Sequence, residues 1–154
     1  MNTEIVGVEL KILQSHYDDR GFFQEVLKTT DNIFDQFGQL SHSFMYSTDV
    51  IKAWHLHNIQ TDYWWVPNGV IKAVLWDMRE DSESQGKLDE FYLGENRPST
   101  VLKIPPGVAH GLKVLVAPAS LVYVTSHPYN PEDELRFPHD YKNKYDWLAR
   151  PKIT

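Results

Sequence analysis

Residues 53–69 read AWHLHNIQTDYWWVPNG and set His55, His57 and Asp62 close together in the chain. Residues 104–111, IPPGVAHG, add His110 behind Pro105 and Gly107. Two chemistries suit these residue types. Three imidazoles and a carboxylate can hold Fe(II), Mn(II), Zn(II) or Ni(II). A single imidazole, with its near-neutral pKa, can instead remove a proton from a carbon beside a ketone. The two uses compete at any one ring, because a lone pair on a metal is not free for a proton. With seven histidines in the chain, an H-x-H pair alone says little. The pair followed by Asp62, then Gly69, then P-x-G-x-x-H is a more specific pattern.

The elements that must position these residues read as strands. Apolar and polar residues alternate in VGVELKIL, FFQEVLK, SFMYST, KAWHLH, VIKAVLWDM, DEFYLG, TVLKIP, GLKVLV and SLVYVTS. Each run is short and rich in β-branched or aromatic residues, as half-buried strands are. The segments DDRG, VPNG, GENRPS, PPG and APAS read as the turns between them. Side chains two apart on a strand share a face, so His55 and His57 point the same way. Asp62 is placed on a strand between these histidines and the turn at 66–69. Residues 31–39, DNIFDQFGQ, read as one short helix with Asp31 or Asn32 as cap and Gly38 as terminator. The charged stretch 79–90 reads as a solvated hairpin. The tail from Pro128 reads as an irregular wrap on the outside. Many short strands in close succession predict an all-β sandwich or barrel, one domain over residues 1–154.

Composition narrows the function. The chain has no cysteine, so disulfides, thiolate catalysis and zinc–thiolate sites are excluded. A net charge of −6 argues against nucleic acid as a partner. No apolar run reaches the length of a membrane span, and the first residues lack the basic and apolar pattern of a secretory signal. A cytoplasmic location is expected. Aromatics make up 13% of the residues, enough to supply both a core and the walls of a ligand cleft, where Trp64 or Trp65 is expected.

The histidine pattern resembles the two motifs of the cupins. More specifically, DDRGFFQE, the segment after the central strand (WDMREDSESQG), IPPGVAHG and the run from Tyr123 through Tyr129 to Glu134 resemble the dTDP-4-dehydrorhamnose 3,5-epimerase family. The resemblance spans residues 18–147. It implies a cupin-type antiparallel β-barrel, or jelly roll. It implies a nucleotide-diphosphate sugar as partner and substrate, a homodimer that shares N-terminal strands, no cofactor and no bound metal. By the same resemblance His55 is the base that removes a proton beside the sugar ketone, and Tyr123 returns one from the opposite face. Arg20 and Lys52 match diphosphate-binding positions. Phe22 and Glu25 match positions that shape the nucleotide and sugar pocket, and His110 and Tyr129 match cavity-lining ones.

Three departures from the family's pattern stand out. Asp62 occupies the place of a lysine that supports the enolate oxygen, and a carboxylate there opposes the developing charge. His57 replaces a glutamine. The aspartate that backs the catalytic histidine has no counterpart after Trp147, which leaves Asp140, Asp146 or a second subunit as candidates. Lys72, a charged His57 or a backbone N–H are the candidates to support the enolate. Three readings follow, in this order: a metal-free nucleotide-sugar epimerase; a metal cupin with His55, His57, Asp62 and His110 as ligands, acting as an oxygenase or isomerase; and a binding cupin without catalysis.

Overall fold

A computed structural model describes residues 3–149. Ten strands make up almost all of the regular structure, and every pairing is antiparallel. They are β1 (Glu9–Ile12), β2 (Ser15–Asp18), β3 (Gly21–Gln24), β4 (Gln39–Met45), β5 (Ile51–His57), β6 (Asp62–Asp77), β7 (Leu88–Gly94), β8 (Thr100–Ile104), β9 (Val108–Thr125) and β10 (Glu134–Arg136). The spine is the pair β6–β9, which runs together from Asp62↔Thr125 to Asp77↔Val108. On its other edge β6 takes β8 first and β7 later. On its other edge β9 takes β5 first and β4 later. The ends of the sheet are β1 on β8 and β10 on β5, and β2–β3 forms a separate two-stranded sheet.

Two segments expected to reverse the chain instead lie inside long strands. Residues 66–69 and 117–120 face each other across the β6–β9 ladder, where the register slips near Asn68 and Val70. Pro67 and Pro118 cannot donate to a ladder, so the pairing is irregular there without ending. Gly69 has φ +70°, and a Cβ on it would lie 2.5 Å from the Pro118 carbonyl oxygen. The strands therefore touch backbone to backbone at this point, and only glycine fits.

Residues 31–39 are not a helix. Among the described residues the only helical segment is a 3-10 turn at Tyr141–Asn143. The Asp31 carboxylate accepts the Lys28 N–H at 2.7 Å, upstream of where a cap would work. Downstream, Asp35 N–H donates to the Tyr63 hydroxyl at 2.8 Å, and Gly38 N–H donates to the Thr125 carbonyl. These donors are drawn onto the sheet, while Ile33 and Phe34 pack against Tyr63 and Val101. Tertiary partners override the local helical pattern.

The C-terminal tail is part of the core as well. β10 pairs with β5, and Trp147 is 1% exposed. Along the second half of β6 both faces are covered. Ile71, Ala73 and Leu75 face the main core with Leu102, Leu112 and Leu121. Val74 and Trp76 face a second cluster with Trp54 and Trp147, walled by Phe137, Tyr141 and Tyr145. A strand buried on one face only would have left the tail outside; this one needs it as a lid. The charged stretch 79–90 does form the β6–β7 hairpin, but it is not simply solvated: Ser84 and Asp89 are buried in it. No helix among the described residues is long and apolar enough to cross a membrane.

Candidate active site

Alternation holds in β5 from Trp54 onward: Trp54 and Leu56 go to the second core cluster, while His55 and His57 face the opposite way into a cavity of about 270 Å³. The register shifts between Lys52 and His55, and across that shift the facing reverses, so that Ile51 and Ala53 pack on the core cluster while Lys52 turns to the cavity. β6 contributes Asp62 and Trp64 to the same space, and β9 contributes His110 and Tyr123. Lys52 and Tyr129 stand at its edge. The loop before β9 is fixed from two sides. Gly107 N–H donates to the His57 carbonyl at 2.7 Å. A Cβ on Gly107, whose φ is +75°, would sit 2.5 Å from Cγ of Arg79. That close fit sets where His110 enters the cavity.

His55 has a carboxylate behind it. Its Nδ1 lies 3.3 Å from Oε1 of Glu134, whose side chain is 10% exposed. Oε2 of Glu134 accepts from Arg136 at 2.8 Å. This leaves Nε2 of His55 free for the cavity. Burial pushes the His55 pKa below its ordinary value, with Glu134 working in the other direction. The candidates Asp140 and Asp146 are not the partner. Asp146 accepts instead from the backbone of Leu148 and Ala149. Glu134 closes the run from Tyr123 through Tyr129 noted in the sequence, so its position was visible while its role was not.

Deeper in the cavity the side chains form a second group. Nδ1 of His110 lies 3.1 Å from the Val108 carbonyl oxygen, and its Nε2 lies 3.8 Å from Oδ2 of Asp62. Burial holds the His110 pKa down to about 4, so the ring is neutral near pH 7. The His57 ring stacks on it at 5.7 Å, and Trp64 meets it edge-on at 5.3 Å. Asp62 accepts from the Gln60 amide at 2.7 Å and from the Trp64 indole at 3.1 Å. Asp133 lies 3.7 Å from Nδ1 of His57 and accepts the N–H groups of Asn58, Ile59 and Gln60. It thereby ties down the link between β5 and β6. Lys72 is not available to the cavity: its ammonium lies over the Tyr145 ring, 5.0 Å from the centroid, among the second cluster.

Seven of the ten residues singled out in the sequence therefore meet at one cavity: Lys52, His55, His57, Asp62, His110, Tyr123 and Tyr129. The other three do not join them within the chain. Arg20 and Phe22 lie on the β2–β3 hairpin and Glu25 just beyond it. The Arg20 side chain is 84% exposed and pairs with Asp18, Glu25 pairs with Lys28, and Phe22 is 61% exposed. Glu134, Arg136, Gln60, Ser43 and Gln39 line the cavity without having been singled out.

The family model described as dTDP-4-dehydrorhamnose 3,5-epimerase matches residues 2–153. The spore coat polysaccharide biosynthesis protein SpsL of Bacillus subtilis is 47% identical over 139 residues, 88% of this chain and 91% of its own. The probable low-salt glycan biosynthesis epimerase Agl13 of Haloferax volcanii is 36% identical over 150 residues, 94% of this chain and 96% of its own. Among solved structures, a dTDP sugar isomerase from Desulfovibrio desulfuricans superposes with a TM-score of 0.90 at 28% identity, covering 98% of this chain and 97% of that one. A dTDP-6-deoxy-D-glucose-3,5-epimerase from Legionella pneumophila, in complex with dTDP-4-keto-L-rhamnose, gives 0.85 at 26% identity, covering all of this chain and 85% of that one.

Proposed function

The chain belongs to the dTDP-4-dehydrorhamnose 3,5-epimerase family, and from that premise we propose that it epimerises a 4-keto-6-deoxy nucleotide sugar, at C3, C5 or both, for polysaccharide biosynthesis. The observation that carries this reading is the His55–Glu134 pair at a cavity shared with Tyr123. The lone pair on Nε2 of His55 takes the proton from the carbon beside the C4 ketone. The C–H electrons move into a new C=C bond, and the carbonyl electrons move onto oxygen as the enolate. Tyr123, on a different strand, returns a proton to the other face of that carbon, which inverts it. Glu134 holds the base in the tautomer that leaves Nε2 free, and its charge steadies the imidazolium that forms. Lys52, bonded to Ser43 at 2.6 Å, neutralises the diphosphate at the mouth.

The exposed hairpin supports a homodimer. Tyr17, Phe22 and Phe23 on β2–β3 are each more than 60% exposed. Packed on a second copy they would be covered, and Arg20, Phe22 and Glu25 would reach the partner's cavity. Sedimentation at rising concentration tests this, and a chain that stays monomeric throughout sinks it.

The activity itself is tested by incubating the protein with dTDP-4-keto-6-deoxyglucose in D2O. Deuterium is expected at C3, C5 or both, with inversion there. His55→Ala should slow the exchange about a thousandfold while leaving nucleotide binding in place. Tyr123→Phe should spare exchange more than inversion. Exchange in His55→Ala at the rate of the unchanged protein would overturn the assignment.

A further inference from the structure

His57, Asp62 and His110 each offer one ligand atom, and these atoms all lie within 4.8 Å of one another. They come from three strands, β5, β6 and β9, and each residue is less than a tenth exposed. We propose that these three side chains form a divalent-metal site with positions open to the cavity, beside a His55 that stays free.

The hydrogen bonds around the group favour a cation at its centre. Nδ1 of His110 faces the Val108 carbonyl, so that nitrogen carries the proton and Nε2 bears a lone pair. That lone pair faces a carboxylate oxygen of Asp62 at 3.8 Å, beyond hydrogen-bond reach. Two acceptors are thus aimed at each other in a buried place, which is costly unless a positive charge lies between them. The outer contacts are those that orient metal ligands. His110 is held by a carbonyl, and Asp62 by the Gln60 amide and the Trp64 indole. Nδ1 of His57 lies 3.7 Å from the Asp133 carboxylate, longer than a hydrogen bond, and would meet it on a small shift of the ring; that carboxylate is anchored by three backbone N–H groups. Two imidazoles and one carboxylate suit Fe(II), Mn(II), Co(II) or Zn(II) and leave coordination positions open. With metal–ligand bonds of roughly 2.0–2.2 Å, the side chains would draw together by about 1 Å on loading.

His55 does not belong to the group. Among the described residues only His57, Asp62 and His110 bring ligand atoms within 4.8 Å of one another, and His55 stands outside that set beside Glu134, so a proton-accepting ring and a metal can coexist in this cavity. The site also answers a difficulty of charge. An enolate formed here would face the buried carboxylate of Asp62, which opposes it, while Lys72 is turned away onto Tyr145. A bound ion supplies Lewis-acid positive charge beside the substrate ketone. This part of the proposal rests on the epimerase reading.

The test begins with chelator-treated protein titrated with Co(II). One equivalent per chain should give visible d–d absorption and raise the melting temperature. Asp62→Asn should weaken that binding at least a hundredfold, and His55→Ala should leave it unchanged. The melting temperature of Asp62→Asn without metal reports whether it is folded, and His57→Gln serves as a second ligand variant. No binding, or binding in both folded ligand variants as tight as in the unchanged protein, overturns the site. Deuterium exchange should fall at least tenfold on chelation and return with Co(II). Full exchange in chelated protein overturns the metal's role and leaves the epimerase standing. A Co(II) spectrum with no exchange under any condition sinks the epimerase and leaves the metal site.

Discussion

Asp77 and Asp62 open the same pair of questions at opposite ends of β6, and their surroundings answer differently. Asp77, fully buried, receives the Arg79 side chain through Nε and Nη2, both at 2.8 Å, and the hydroxyls of Ser82 and Ser84, both at 2.6 Å. The same knot reaches outward. Arg79 bonds the Val6 carbonyl, Ser84 accepts the Val6 N–H, and Met78 N–H donates to the Gly107 carbonyl. Every acceptor lobe is used, and the result fastens the N-terminal segment, the β6–β7 hairpin and the loop before His110 into one body. Asp62 is buried to a similar degree but receives only one amide and one indole, and it faces imidazoles across a cavity. A buried carboxylate with a full set of donors is a structural device, whereas one left with unmatched neighbours is placed for chemistry.

The largest effect should separate these two ends. His55→Ala, at the Asp62 end, should slow deuterium exchange about 10³-fold, within the usual worth of a general base. It should leave the denaturation midpoint nearly unchanged. Asp77→Ala should do the reverse: a loss of about 3 kcal/mol in urea unfolding, because the Ser82 and Ser84 hydroxyls and the partly buried Arg79 guanidinium lose the acceptor they share. At temperatures where the variant stays folded, exchange should continue. A stable Asp77→Ala protein, or an unstable His55→Ala protein, would erase the distinction between the two ends.

The acid limb of stability sharpens the same point. Burial alone would raise the Asp77 pKa, but the Arg79 and serine hydrogen bonds overcome it and hold the carboxyl far below its ordinary value. A carboxyl with a depressed folded pKa contributes stability above its unfolded pKa of about 3.9, and that stability drains away as pH falls through the folded value. Unfolding free energy of the unchanged protein should therefore drop steeply between about pH 5 and pH 2. In Asp77→Asn the slope over that window should flatten. Equal slopes in the two proteins would show that Asp77 does not carry the acid sensitivity.

The sequence showed the strands and the cavity's histidines because both depend on short-range rules. Alternation with period two marks β5 and turns His55 and His57 to one side. What it hid depends on partners far along the chain. The helical pattern at 31–39 gives way because Tyr63 and Thr125, residues of β6 and β9, take its N–H groups. Pro67 and Pro118 look like turns, yet each lies inside a strand that continues past it, near the Asn68↔Ser120 pair. The tail looks like wrapping because its apolar residues are spaced widely, yet Trp147 closes a core begun at Trp54. D-x-R-x-x-S at 77–82 reads as a motif in one dimension, and only the fold shows that its parts grip one carboxylate.

Glu134 supplies the smallest and most discriminating effect. It sits on β10, opposite His57 in register, and reaches diagonally to Nδ1 of His55. Its part is to orient the ring and steady its charge, so removing it should not abolish the base. Glu134→Gln keeps the shape but loses the charge. Exchange should fall by about tenfold, or about 1.4 kcal/mol in the barrier. The KM for the nucleotide sugar should change by less, since the loss falls on the step in which the imidazolium forms. Glu134→Asp keeps the charge on a shorter arm and should recover part of the rate. A purely structural role for Glu134 predicts another order. Glutamine, which is closer in shape, would then preserve the rate better than aspartate. Side-by-side exchange rates in these two variants, with melting temperatures to confirm that both are folded, decide between an oriented base at this end of the site and a mere surface brace.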